Sequence, residues 1–341
     1  MNKIALTFLI SLLFIFSTSS IQAQVDDDSD EIIKIETRLV SVPVMVSDRN
    51  GRFVSGLKKE DFSVFQDGLE QEIAFFGDNS EPINIALLLD TSYSTTEVIE
   101  NIKRAAFDFV RLLGKSDRAM IISFDTDVKV LGALTSDRNE LFNSINRAKA
   151  ENVSGTVMRK TVSDVLNPLF AEVTGRKAII LLTDGKDFGS SVSESELLFN
   201  LEESDVIVYS IFYSTELSKY MQLDPAVING RMSQNVPGAG VTRGAENLKR
   251  IEQIKKYNAE ATTYLKQMSD LTAGRFFEGD VSSLTSTFET IVDELRNQYR
   301  IGFYPPDEDA QTSVHQISVK LDKKDVVVRA RKTYRSRKIS N

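Results

Sequence analysis

The stretch that decides the fold covers residues 83–94 and reads INIALLLDTSYS. Its first seven residues are almost wholly apolar, and a strand that is apolar on both faces is typical of the buried centre of a parallel sheet. The strand ends in Asp90, and Ser92 and Ser94 follow at alternate positions before a predicted helix. One carboxylate and two hydroxyls in a tight loop are oxygen ligands, which suit a hard cation such as magnesium.

A second predicted strand ends in a similar way. Residues 177–182 read KAIILL and are followed by the letters TDG, which place a carboxylate at Asp184. In an open parallel sheet, ligands bind beyond the carboxyl ends of the strands, at the point where the strand order reverses. If the two strands flank that point, Asp90 and Asp184 meet in one crevice. The segment NVSGT, which opens a helix between the two strands, can add the hydroxyl of Thr156.

The order and spacing of these residues resemble the von Willebrand factor type A (VWA) family and its metal-ion-dependent adhesion site. More narrowly, the chain resembles bacterial exported VWFA-related proteins that carry β segments on both sides of the domain. The family's D-x-S-x-S motif is matched by Asp90, Ser92 and Ser94, its threonine loop by residues 154–156, and its later aspartate by Asp184. The match extends over roughly residues 80–295, and the complete motif is far more specific than a lone D-x-S-x-S, since Ser and Asp are common in turns.

The resemblance implies one Mg²⁺ or Mn²⁺ ion per chain. The implied metal ligands are Asp90, Ser92, Ser94, Thr156 and Asp184. In the family, a Glu or Asp of a protein partner fills the open position on the cation. The resemblance therefore implies a non-enzymatic binding module whose partner is a protein ligand that supplies an acidic side chain.

Other interpretations of the same residues stay open. A metal-dependent, phosphatase-like hydrolase could use Asp90 as its nucleophile, but that chemistry would want a second carboxylate two residues on, where Ser92 stands. A structural envelope module could use the cation only to tie loops together. Without any metal, Ser92 or Ser94 could cap the following helix, and Asp184 could belong to a simple turn.

Composition excludes several function classes. A net charge of −8 argues against non-specific nucleic-acid binding, which needs a basic surface. The absence of cysteine removes disulfides, thiol catalysis and thiolate metal sites. A Ser-His-Asp hydrolase would need the single histidine, His315, as its base. His315 alternates with Ile317 and Val319, so we interpret it as a strand residue near a sheet edge.

The N-terminus has the pattern of a secretory signal peptide. Lys3 precedes an apolar run over residues 4–16, and the small polar residues that follow end at Ala23, the expected cleavage position. The run is shorter than the roughly 20 residues that cross a bilayer. We therefore expect a secreted or periplasmic protein with no transmembrane span after cleavage, with an uncleaved anchor as the alternative.

The period of the apolar residues changes along the chain. Strands alternate with amphipathic helices over residues 83–295, which predicts a doubly wound, Rossmann-like α/β domain with a mostly parallel central sheet. Residues 32–78 and 299–335 alternate as β-strands instead. Each of these small antiparallel pieces would be marginal alone, so we expect them to pack together as one flanking β unit, on the side away from the metal.

The resulting domain boundaries are predictions from composition and period. They are a signal peptide (1–23), an acidic disordered start (24–31), an N-terminal β segment (32–79), the VWA domain (80–298), a C-terminal β segment (299–335) and a basic tail (336–341).

Two further segments have charge or length that calls for an interpretation. Residues 214–243 are long for a connection in a compact domain, which favours either a role in partner choice or a disordered insertion. The C-terminal basic residues are interpreted as a solvated strand face and a frayed end. They are Arg329, Arg331, Lys332, Arg335, Arg337 and Lys338.

Overall fold

A computed structural model describes residues 39–77, 81–151, 155–214, 239–279, 283–306 and 313–336. Several segments with a sequence prediction lie outside these described residues. They are the signal peptide, the acidic start, Ser154, residues 215–238 of the long insertion and residues 337–341 of the basic tail.

The described residues form fourteen strands and six α-helices. The strands are β1 (Val40–Asp48), β2 (Phe62–Gln66), β3 (Leu69–Gln71), β4 (Phe75–Gly77), β5 (Ile83–Asp90), β6 (Arg118–Phe124), β7 (Val128–Thr135), β8 (Arg176–Thr183), β9 (Ile207–Tyr213), β10 (Arg275–Gly279), β11 (Gln298–Phe303), β12 (Val314–Leu321), β13 (Val326–Ala330) and β14 (Thr333–Arg335). The helices are α1 (Ile99–Leu112), α2 (Arg138–Arg147), α3 (Met158–Asp164), α4 (Glu194–Glu203), α5 (Ala239–Leu271) and α6 (Leu284–Arg296).

The central sheet has the strand order β10-β9-β8-β5-β6-β7. All neighbouring pairs are parallel except β6 and β7, which form the antiparallel hairpin that the turn letters DTD at residues 125–127 predict. The chain passes from β5 to β6 on one side and later returns to β8 on the other, so the strand order reverses at β5. The carboxyl end of β5 is therefore the place where this class of sheet binds ligands.

Both faces of the central sheet are covered by helices. Every residue of β5 is buried, with Leu87 and Leu89 packed in the core that includes α1 and α6, and Leu88 in the core that includes α3, α4 and α5. Alternate side chains of a strand point to opposite faces, which explains why a strand covered on both faces has so little polar character. The doubly wound α/β prediction is confirmed.

The N- and C-terminal β segments interleave in a second structure. Two four-stranded antiparallel sheets, β13-β1-β11-β4 and β14-β12-β2-β3, enclose their own apolar core. Strand β1 from the N-terminal side pairs with β11 and β13 from the C-terminal side, for example through Val44 and Tyr299. The predicted flanking β unit, which is called the β unit below, is therefore confirmed. His315 lies on β12, which pairs with β14 and β2.

Some helix bounds differ from the sequence prediction. The pattern after Val157 predicts one helix to about residue 173, but α3 ends at Asp164. Pro168 follows four residues later and lacks the N–H that a continued helix would require. The structure also begins α5 at Ala239, earlier than the predicted start near residue 247. No helix in the described part of the chain has both the length and the hydropathy of a membrane span.

The interpretation of the C-terminal arginines as a solvated face is wrong for three of them. Arg329 forms an ion pair with Glu294 near the end of α6, and Arg335 forms one with the Glu202 carboxylate of α4 at 2.9 Å. Arg331 is buried and donates to backbone carbonyls at the end of α4, and this burial lowers its pKa to about 10. These contacts join the β unit to the α/β domain at the amino ends of the central strands, opposite the carboxyl end of β5.

Candidate metal site at the carboxyl edge of the central sheet

The Asp90 carboxylate lies fully buried at the end of β5. Its Oδ1 accepts hydrogen bonds from the backbone N–H of Ser92 at 3.0 Å and from the Ser92 hydroxyl at 2.6 Å. Its Oδ2 accepts one from the Thr183 hydroxyl at 2.8 Å. The parallel register of β5 and β8 places Thr183 next to Asp90, because Leu89 is the partner of Leu182. Two neighbouring strand ends thus hold this carboxylate.

The loop after Asp90 brings its two serine hydroxyls together. The Oγ atoms of Ser92 and Ser94 lie 3.1 Å apart at the start of a short 3-10 turn. The Thr95 hydroxyl closes this turn by donating to the Ser92 carbonyl at 2.8 Å. The alternate residue, Tyr93, is left exposed to solvent. The predicted D-x-S-x-S residues therefore present one carboxylate and two hydroxyls from one side of the loop.

Asp184 follows directly after β8 and is buried. Its Oδ2 lies 2.8 Å from the Lys186 Nζ. Gly185 has a φ of +79°, and a Cβ added there would lie 2.6 Å from the Cβ of Ala261 on α5. Two features therefore require glycine at position 185: the left-handed backbone conformation and the close approach of α5.

The electrostatics of this edge favour a positive charge. Burial raises the pKa of Asp90 to about 7, the nearby Asp184 carboxylate adds to the rise, and the hydrogen bonds from Ser92 and Thr183 offset only part of it. Among the described residues, every group that donates to Asp90 is neutral. A buried carboxylate next to a second one, without a cation of its own, is a costly arrangement in a folded protein.

The loop that carries Thr156 is tied to the same edge. The backbone N–H of Val157 donates to the Asp125 carbonyl at the end of β6, at 2.8 Å. Thr156 itself is buried and exchanges backbone hydrogen bonds with Phe188, at 3.2 Å from its N–H and at 2.9 Å to its carbonyl. The structure thus holds this residue between the end of β6 and the segment that follows Asp184.

Asp187, which the sequence places three residues after Asp184, has a structural role. Its Oδ2 accepts the backbone N–H of Arg159 at 2.7 Å and the Ser190 hydroxyl at 2.9 Å. Because Arg159 lies in the first turn of α3, the Asp187 carboxylate satisfies one of the unpaired N–H groups at the start of that helix. This contact supports α3 directly behind Thr156.

The sequence predicts only a turn at Asp125, but its side chain also forms an ion pair with Lys129. It is buried and accepts a hydrogen bond from the Lys129 ammonium at 2.9 Å, with the Thr91 hydroxyl 3.4 Å away. Burial raises the pKa of Asp125, but the Lys129 hydrogen bond and the N–H of Asp127 outweigh it and hold the pKa below its usual value. The D-T-D-x-K spacing could have suggested this ion pair, although the same letters are typical of an ordinary hairpin.

The sequence pattern also gives no indication that Tyr213, the last residue of β9, lies at this site. The register of β8 and β9 pairs Thr183 with Phe212, so Tyr213 is next to Asp184 across the sheet. Its hydroxyl is buried without a hydrogen-bond partner among the described residues. Burial raises the pKa of Tyr213 well above its usual value, and the charges of Asp90 and Asp184 add to the rise. Unused hydrogen-bonding capacity therefore lies near the two carboxylates.

The donor set at this edge is unusual for a protein metal site. Within the described parts of the chain, no group of three His, Cys, Asp or Glu side chains converges in a way that could hold a metal ion. A cation at the carboxyl edge would therefore have to take hydroxyl ligands in addition to the carboxylates, as the sequence pattern predicts.

Comparison with known proteins identifies the α/β part of the chain. The von Willebrand factor type A domain family matches residues 84–224. A search of curated proteins found no significant match.

Several solved structures are similar in fold, at low sequence identity. Proximal thread matrix protein 1 from the mussel byssus, solved with a zinc-occupied MIDAS motif, is 14% identical with a TM-score of 0.47, and the match covers 67% of this chain and 48% of the mussel chain. This chain thus spans about half the length of the mussel protein. BatB from Bacteroides thetaiotaomicron is 19% identical with a TM-score of 0.40, covering 62% and 97%. A von Willebrand factor type A protein from Catenulispora acidiphila is 12% identical with a TM-score of 0.45, covering 81% and 72%.

Proposed function

Since the chain contains a von Willebrand factor type A domain, we propose that it is a non-enzymatic binding module that captures an acidic side chain of a protein partner through one bound Mg²⁺ or Mn²⁺. The proposed ligands are Asp90, Ser92, Ser94, Thr156 and Asp184, some of them through water. The observation that carries the proposal is the buried Asp90 carboxylate, which lies beside Asp184 at the reversal point of the sheet and accepts hydrogen bonds only from neutral groups among the described residues.

The residues at this edge fit a hard divalent cation. A cation would offset the negative charge that burial and Asp184 make costly at Asp90. Magnesium prefers oxygen ligands in near-octahedral geometry and keeps several waters. The Tyr213 hydroxyl, which has no hydrogen-bond partner in the described part of the chain, offers a hydrogen bond to such a water. The Lys186 ammonium, which contacts Asp184, supplies one positive charge from the chain itself and would move aside or share the carboxylate.

The hydroxyl ligands explain how a cation here could bind a partner. Ser92, Ser94 and Thr156 are neutral, so they leave much of the ion's positive charge unbalanced. An ion in this state attracts one further carboxylate, which a Glu or Asp of a partner supplies. A desolvated contact between the metal and that carboxylate would dominate the affinity of an otherwise ordinary interface.

The phosphatase-like alternative retains one supporting feature. Lys186 lies close to Asp184 and could act on a phosphate group. The position two residues after Asp90, where such chemistry would want a second carboxylate, holds Ser92 instead. Incubation of the Mg²⁺-loaded protein with p-nitrophenyl phosphate separates the two functions. We expect no release of nitrophenol above that of the Asp90→Asn variant, and release that depends on Asp90 would favour the hydrolase.

We also propose that the protein acts outside the cytoplasm, in the periplasm or as a secreted protein. The support is the signal-peptide pattern that ends at Ala23. N-terminal sequencing of the protein purified from its native host tests this directly. We expect the mature chain to begin at Gln24, and an intact Met1 would contradict export by cleavage.

Titration calorimetry tests the proposed metal site. We expect the wild-type protein to bind one Mg²⁺ or Mn²⁺ per chain and the Asp184→Ala variant to lose this binding. Asp127→Ala is the matched control, because Asp127 is an exposed carboxylate in the β6–β7 turn at the same edge. Equal binding by the wild type and Asp184→Ala would rule the site out.

A further inference from the structure

Two large exposed aromatic side chains flank the proposed metal ligands. Tyr93 is 62% exposed and lies in sequence between Ser92 and Ser94, whose hydroxyl oxygens are 3.1 Å apart. Phe188 is 60% exposed, and its backbone pairs with that of Thr156. Folding leaves both rings in water, although burying them would stabilise the protein. Aromatic residues such as Tyr and Phe are enriched at protein–protein interfaces relative to the rest of the surface.

The ring of Phe188 is held in place by contact with another aromatic side chain. It stacks on Tyr257 of α5, with the ring centroids 6.0 Å apart and an angle of 23° between the planes. The Tyr257 hydroxyl in turn donates to the Gly185 carbonyl at 3.2 Å. Thus one face of Phe188 is covered by an anchored side chain and the other faces solvent. A ring that is already ordered loses little conformational entropy when a ligand packs on it.

We propose that Phe188 and Tyr93 form an aromatic rim that selects the sequence context of the captured carboxylate. The occupant is a peptide segment of a protein partner in which an apolar or aromatic residue directly flanks the Glu or Asp. This inference rests on the proposed function, because the cation fixes the carboxylate and so brings its neighbouring residues over the rim. The metal alone cannot distinguish one acidic side chain from another, whereas the rim adds apolar contact area that depends on the neighbours.

Three dye-labelled peptides test the rim on the full mature chain loaded with Mg²⁺. The first has the sequence Gly-Trp-Glu-Trp-Gly, the second replaces both Trp with Ala, and the third replaces Glu with Gln. Fluorescence anisotropy gives each Kd. We expect the Trp peptide to bind wild type at least about fivefold more tightly than the Ala peptide, a difference that burial of a modest apolar area supplies. Replacement of Glu by Gln in the peptide should abolish binding, and so should addition of EDTA.

The variants assign the preference to the rim. Phe188→Ala together with Tyr93→Ala should bring the two Glu peptides to within about twofold of each other, with Mg²⁺ affinity by calorimetry unchanged. Tyr304→Ala is the matched control, since Tyr304 is a 54% exposed aromatic residue that follows β11 in the β unit. Equal Kd values for both Glu peptides on the wild type, or a preference that survives in the double variant, would overturn the rim. If neither Glu peptide shows Mg²⁺-dependent binding, the proposed function itself fails.

Discussion

Two buried carboxyl groups lie at opposite ends of the central sheet, and the chain surrounds them differently. Glu294, near the end of α6, is paired with the guanidinium groups of Arg275 at 2.7 Å and of Arg329 from the β unit. Asp90, at the carboxyl end of β5, accepts hydrogen bonds from neutral groups and lies beside another carboxylate, Asp184. Both side chains are almost completely inaccessible to water.

The contrast distinguishes a carboxylate that stabilises the fold from one that we propose binds a cation. At Glu294, two arginines supply the positive charge, so the ion pairs join α6, β10 and β13 without outside help. At Asp90, the polar neighbours orient the carboxylate but leave its charge uncompensated. Burial of an uncompensated charge costs stability, which is the usual pattern at functional sites. The four predictions below test this difference.

The largest expected effect is on stability, from Glu294→Ala. Removing one partner of a buried ion pair leaves Arg275 and Arg329 uncompensated and should lower the free energy of unfolding by about 3–5 kcal/mol. Urea denaturation followed by circular dichroism measures it. Glu289→Ala is the control, because Glu289 is an exposed carboxylate on the same helix. A loss no larger than that of the control would show that this cluster does not hold the β unit on the α/β domain.

The opposite sign is expected for Asp90→Asn in EDTA. Because the folded pKa of Asp90 is raised to about 7, the folded state binds more protons than the unfolded state between about pH 4 and pH 7. The metal-free wild type should therefore lose stability as the pH rises through this window, and the variant should not.

Above pH 7 the Asp90→Asn variant should be more stable than the metal-free wild type by about 4 kcal/mol, because the folded pKa of Asp90 lies about three units above its unfolded value. Added Mg²⁺ should stabilise the wild type by mass action and should not stabilise the variant. Urea denaturation at a series of pH values measures both effects. A wild-type stability that does not change between pH 4 and pH 7 in EDTA would contradict this account of Asp90.

A smaller effect is expected for Thr156→Val, which keeps the shape of the side chain and removes the proposed hydroxyl ligand. Mg²⁺ affinity by calorimetry should fall about tenfold, comparable with the loss of one supporting interaction at a metal site. Thr263→Val is the control, since the Thr263 hydroxyl bonds only to the Ala259 carbonyl within α5. Unchanged affinity in Thr156→Val would remove Thr156 from the ligand set.

The smallest effect is expected in the β unit, for Asp67→Asn. The hydrogen bond from His315 at 2.7 Å and then the Gln316 N–H lower the pKa of Asp67. This contribution is fully present above the unfolded pKa and is lost as the pH falls through the lower folded value. At pH 7 the variant should lose less than about 1 kcal/mol, because Asp67 is half exposed and screened. The gap to wild type should close below about pH 4 in acid titrations, and a gap that widens there would contradict the assignment.

Local patterns in the sequence were sufficient to predict the central sheet and to propose the site. The all-apolar strand before Asp90 and the TDG turn at Asp184 each report a strand that ends at a polar edge. The hairpin of β6 and β7 followed from period and turn letters alone. These features are local because alternation, turn chemistry and strand length are properties of short segments.

Contacts between distant residues were not predictable in this way. The pairing of Arg329 with Glu294 joins a residue of the β unit to one of the α/β domain, and a basic strand has the same letters whether it faces water or a carboxylate. The surroundings of the Tyr213 hydroxyl depend on which residues lie beside it across the sheet. Such partners are set by tertiary packing, which the period of a single segment does not contain.

Crystals of the mature protein grown with Mn²⁺ would test the central claim most directly, through the anomalous signal of the metal. We expect one strong peak per chain at the carboxyl edge, about 2.0–2.3 Å from ligand oxygens that include the hydroxyls of Ser92 and Ser94. A partner or buffer carboxylate would complete its coordination. A map without a peak at this edge, with Asp90 and Asp184 ordered as described above, would contradict a cation-dependent binding site here.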